Sequence, residues 1–147
     1  MSYPTGEAAL LAILQAMPQF TRANATRGDW KPLNSGASDH YAVLKPGAFS
    51  NLADGLSGET VTTYRVVVEV WQRWVDDSPT LVALETLVGA VVGHVERYPT
   101  LAGAGLMATV AGGGEMQQRW LREGGPMWAV QEVYVDWQEE RFYESAE

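Results

Sequence analysis

The chain has 147 residues, 46% of them hydrophobic and 19% charged, and a net charge of -8 from 18 acids against 10 bases. That length supports one domain with its own core, and the balance argues against disorder throughout. The negative sign without a Lys/Arg cluster argues against duplex nucleic acid as a ligand, and zero cysteines exclude disulfides and cysteine-based zinc sites.

In chain order, Thr5 followed by Gly6, Glu7 and Ala8 reads as a helix start with an acid in its first turn. Leu10, Ile13, Leu14 and Met17 recur at helical spacing, and Pro18 stops the helix. The apolar run Ala8–Met17 lacks a basic leader and falls short of the ~20 residues that span a bilayer. No later segment reads as long enough either, so a soluble protein is expected. From Gln19 to Glu59 the chain is punctuated by Gly28, Gly36, Gly47, Gly55, Gly58, Pro32 and Pro46. Within it, HYAVLK (His40–Lys45) predicts a short strand. PGAFSNLADGLSG (Pro46–Gly58) reads as a long, mobile, exposed loop or a pair of short elements.

Val61–Val75 alternates over far more than the usual half-dozen residues. Tyr64, Val66, Val68, Val70 and Trp74 share one face, and Arg65, Glu69, Trp71 and Arg73 the other. Asp76-Asp77-Ser78-Pro79 then starts a helix, with Ser78 able to cap, Pro79 suited to a first turn and two acids near the positive dipole end. Leu81, Leu84, Leu87, Val88, Val91, Val92 and Val95 form its apolar stripe, and Pro99 ends it. Leu106–Ala111 predicts a strand, Gly112-Gly113-Gly114 a flexible hinge, Glu115–Glu123 a short helix and Met127–Phe142 a last strand. The expected fold is a single α+β domain over residues 1–147: a mostly antiparallel or mixed sheet with a long central strand, packed against two main helices.

No motif names a reaction. The glycine run lacks the Gly-Lys-Ser/Thr ending of a phosphate loop, and Glu115 there would oppose phosphate. His40 and His94 are the only histidines and lack paired-ligand spacing, so both read as structural, and no metal, cofactor or catalytic residue is assigned. Asp76-Asp77 is explained by capping. The closing acids Glu132, Asp136, Glu139, Glu140, Glu144 and Glu147, against Arg141 alone, read as a solvated edge and frayed tail, or as a negative surface for a basic partner or the inside of a ring through which DNA slides without sticking. Trp71 between Arg-bearing positions fits either a subunit interface or a second buried layer within the monomer. Arg65, Glu69, Trp71 and Arg73 are the candidate interface residues.

The order of elements resembles the tail terminator proteins of long-tailed bacteriophages, also called tail completion or head–tail joining proteins. The resemblance rests on the helix Thr5–Met17, the strand HYAVLK, the long strand YRVVVEVWQRW, the capped helix SPTLVALETLVGAVVGHVERY and the closing strand VQEVYVDWQEERF. The glycine-rich segment from Gly112 has no place in it. The family implies a non-enzymatic virion protein at the head-proximal end of the tail, made in the bacterial host cytoplasm. Its subunits form a hexameric ring that caps the tail tube, ends its polymerisation and joins the tail to the head. The implied partners are further copies of the chain, the tail tube protein and a head–tail connector protein. DNA passes through the ring without specific binding, and no membrane is involved. A different connector or tail subunit is the nearest alternative. A small enzyme or ligand-binding domain with a pocket between helix and sheet is the second.

Overall fold

The alternation from Thr60 onward produces one strand, β3 (Glu59–Arg73), whose 15 residues span about 50 Å at ~3.3 Å each. The computed structural model describes residues 3–20, 24–35, 38–54, 59–101 and 106–142. In it β3 is joined by β1 (Ala25–Arg27), β2 (His40–Asp54), β4 (Leu106–Gly113), β5 (Gln117–Trp120) and β6 (Met127–Phe142) in one mixed sheet. The order is β1-β2-β3-β6-β4, with β5 alongside the start of β6. All pairs are antiparallel except β1 with β2. With about 29% helix and 45% strand, this is the single α+β domain that the patterns imply.

Two expectations fail in the strands. The residues from Pro46 to Asp54 do not form a loop; they continue β2, paired with β3 as far as Asp54↔Glu59. Residues 55–58 lie outside the described residues. Pro46 is tolerated because β1 pairs no further than Leu44, so β2 is already an edge strand there and the missing N–H removes no ladder bond. The register slips between Pro46 and Phe49, and a Cβ on Gly47 would sit 2.8 Å from the carbonyl oxygen of Arg65. The bulge therefore needs glycine for close backbone approach. Gln117–Trp120 is a strand where a helix was expected, because its backbone pairs with Met127–Val130 of β6. Nor is the glycine run a hinge. Gly112 and Gly113 are in β4, and a Cβ on Gly113 would approach the Glu132 carbonyl oxygen to 2.6 Å. Glycine here permits tight strand packing.

Two long helices cover one face: α1 (Tyr3–Gln15) and α3 (Asp77–Val95). Leu10, Ile13, Leu14 and Met17, just beyond the end of α1, are buried. Glu7, expected in the first turn, lies beyond it because α1 already begins at Tyr3, and it is fully buried and ion-paired with Arg27 of β1. The α3 cap is Asp76, whose carboxylate accepts from the Asp77 N–H at 2.9 Å, not Ser78. The Thr80 hydroxyl accepts from the N–H groups of Val75 and Asp76 at 3.0 and 3.1 Å, closing the strand-to-helix corner. Contrary to expectation, α3 is long and apolar enough to cross a membrane by length and composition. Here it lies along β3, β6 and α1. Leu84, Leu87, Val91 and Val95 are buried, and at ~1.5–3 kcal/mol per side chain they contribute on the order of 6–12 kcal/mol before ordering entropy. That is comparable to the net stability of a whole domain, so α3 cannot leave the sheet without unfolding it.

Candidate interaction surface

The face away from α1 and α3 carries the charged chemistry. Strand register sorts it into rows across β2, β3 and β6. Tyr41, Trp71 and Val130 form the first row, Val43, Glu69 and Glu132 the second, and Lys45, Val67 and Tyr134 the third. Arg65 faces Asp136 in the next, and Thr63 lies between Ser50 and Gln138 beyond it. The face therefore grades from aromatic to charged to polar.

The aromatic end is closed by the chain itself. The short helix α2 (Lys31–Ser35) brings Leu33 and the neighbouring Trp30 over the sheet. Leu33, Tyr41, Val43, Trp71, Trp128 and Val130 make a second buried cluster. Trp128 meets Tyr41 and Trp71 edge-on, with centroids 5.5 and 6.4 Å apart. Trp71 is 0% exposed, so of its two readings the structure selects the internal layer over the subunit interface.

Glu69, 2% exposed, lies next to this cluster. Three donors converge on its carboxylate. Trp30 Nε1 donates to Oε1 at 2.6 Å, while Lys45 Nζ and Arg119 stand 3.1 and 3.5 Å from Oε2. Lys45 also bridges to Glu132 at 2.7 Å, which neutralises two carboxylates lying directly opposite one another. Glu132, then Glu69, hold the Lys45 ammonium above its ordinary value of 10.5, against the opposing effect of burial. Burying these charges is compensated only because each has partners. The centre ties α2, β2, β3, β5 and β6 together.

Beyond it the face opens. Arg65 grips Asp136 through two bonds of 2.8 and 3.0 Å and lies 5.1 Å over the Tyr134 ring. The Asp136 carboxylate raises the affinity of that guanidinium for its proton. Beside the pair is a recess of about 190 Å³ lined by Ala48, Phe49, Ser50, Thr63, Arg65 and Asp136. Phe49 is 67% exposed. From Phe49 to Asp54, β2 pairs with β3 on one side, and among the described residues no strand pairs with the other. At the far end of the sheet, Trp120 (65% exposed), Leu121 and Val75 are exposed apolar side chains.

The four expected interface residues are thus not one patch. Glu69 and Trp71 are internal. Arg65 and Arg73 remain partly exposed at 38% and 41%, but stand eight residues apart on β3, roughly 26 Å, each beside an acid of its own chain, Asp136 and Asp39. The histidines have structural contacts: His40 Nδ1 lies 2.7 Å from Gln72 Oε1, and His94 Nε2 3.0 Å from the Ile13 carbonyl oxygen. Of the closing acids, Glu132 and Asp136 are paired on the sheet, whereas the side chains of Glu139 and Glu140 and residues 143–147, with the expected frayed tail, lie outside the described residues. Sequence reasoning missed Phe49 and Trp120. The only available signal was that each is an aromatic residue in an otherwise polar or small-residue segment. Neither the protein-family models nor the curated proteins compared with this chain match it.

Proposed function

We propose that this chain is a structural subunit of a phage-tail assembly, acting as tail terminators do: it forms a ring on the tail tube, ends tube growth and joins the tail to the head. One observation carries the reading. Strands β2, β3 and β6 run on together past the end of β1, and among the described residues no strand pairs with the outer edge of β2 from Phe49 to Asp54, beside an exposed Phe49. An open edge is a template for another chain, and a protein that keeps a long one gains from assembly. The paired charges of the open face also suit binding better than turnover, since Lys45, Arg65, Glu132 and Asp136 already engage one another.

The test is native mass, followed by tube assembly. The protein alone or with tail tube protein should form a defined multimer of the 16.1 kDa subunit and shorten or cap growing tubes. A protein that remains at 16.1 kDa under both conditions and leaves tube length unchanged sinks the reading.

A further inference from the structure

We infer that Trp120 of one copy inserts into the recess between Phe49 and Arg65 of the next, so that copies join head to tail. The inference rests on the ring reading above and specifies its contact. Trp120 stands on β5 opposite Met127, whereas the recess lies beside Thr63, Arg65 and Asp136 near the far end of β3 and β6. Along β6, Met127 and Trp137, the partner of Tyr64, are ten residues apart, roughly 33 Å. A chain therefore cannot fill its own recess.

The two features also lie on opposite faces. Arg119 reaches Glu69 and Trp71 on the face away from the long helices, so strand alternation turns Trp120 toward the helix side. Arg65 and Asp136 border the recess on the other side. Two plates cannot exchange such a knob and recess reciprocally across one two-fold axis, because each would have to lie both above and below its partner. The contact is therefore heterologous, the kind that closes into a ring when the rotation per subunit allows.

Chemistry and size agree. The recess, about 190 Å³, is of a size for a single large aromatic side chain, with Ala48, Phe49 and Ser50 of β2 on one side and the Arg65–Asp136 pair on the other. A guanidinium suits an indole face and a carboxylate oxygen can accept its N–H. Tryptophan is enriched among interface anchors, and truncating one that acts as a hot spot weakens binding ~30-fold or more.

The experiment uses Trp120→Ala, which removes the knob, and Ala48→Trp, which fills the recess; both sites are exposed, and circular dichroism checks that each variant folds. Each variant alone should fall to the 16.1 kDa subunit mass where the wild type is multimeric, and Trp120→Phe should retain more assembly than Trp120→Ala. Labelled Ala48→Trp titrated with Trp120→Ala should bind saturably, since together they supply one intact knob and one intact recess; neither should bind itself. A wild-type multimer that survives Trp120→Ala unchanged overturns the knob and leaves the ring reading standing. A wild type that stays monomeric overturns the ring reading, and the cross-titration then decides the contact alone: no binding beyond that of either variant for itself overturns it.

Discussion

Replacing Trp71 with alanine separates an internal layer from an interface. Trp71 is 0% exposed and packed edge-on to Trp128, with the Arg119 guanidinium 6.0 Å from its ring centre. Truncating a buried tryptophan costs ~3–5 kcal/mol in lost transfer and residual cavity, a large share of a domain's ~5–15 kcal/mol. With a urea dependence of ~2 kcal/mol per molar, the unfolding midpoint should fall by about 2 M. Trp71→Phe should cost far less. The Trp71 indole N–H is buried without a hydrogen-bond partner among the described residues, and deleting an orphan donor removes a penalty of ~1–3 kcal/mol that offsets the smaller ring. The assay is urea unfolding followed by circular dichroism across a tenfold range of protein concentration. If Trp71→Ala unfolds within ~1 kcal/mol of the wild type and changes only the dependence on concentration, the residue is an interface residue and the internal-layer argument is wrong.

Glu69→Ala should destabilise the fold by ~2–4 kcal/mol, because it strips the acceptor from Trp30 Nε1 and leaves Lys45 with Glu132 alone; a thermal melt within the error of the wild type would contradict this. Lys45 has a proton affinity raised by folding, so its stabilisation is complete below its ordinary 10.5 and is lost as pH climbs through the higher folded value. Stability measured from pH 9 to 12 should therefore decline more steeply for the wild type than for Lys45→Met, and parallel curves would refute the assignment. Gly113→Ala should cost ~1–3 kcal/mol, since its Cβ meets a backbone oxygen that cannot step aside. Gly89→Ala, at a helical site with nothing within 4 Å of the new carbon, should gain ~0.5–1 kcal/mol; both are read from unfolding midpoints, and a reversed order would show that the clash is relieved by a backbone shift.

The elements that could be read from the sequence are those whose local pattern and tertiary surroundings agree. β3 and β6 alternate because one face meets α3, and α3 shows its stripe because it lies on that sheet. The second half of β2 was hidden because Pro46 and Gly47 carry turn chemistry; only pairing with β3 holds it extended. QQRW, too polar for a strand signal, is one because β6 offers an edge. The inward turn of Trp71 was equally hidden. Its neighbours Glu69 and Arg73 make the face look solvated, and the cover comes from Trp30 and a five-residue helix containing a proline. The candidate site fared the same way: Arg65 was visible from its position, but its recess exists only because a bulge in a segment that reads as loop places Phe49 beside it.

The sheet order also governs the history of each molecule during synthesis. β6 is the last of the described strands yet lies between β3 and β4. Until Phe142 has emerged from the ribosome, β3 has no neighbour on that side, and β4 and β5 have nothing to pair with. Until β6 has been made, a nascent chain therefore carries a long unpaired edge on β3. Closing the sheet is then a single insertion between elements distant in sequence, which is slow by nature and is the interval when two unfinished copies can pair wrongly.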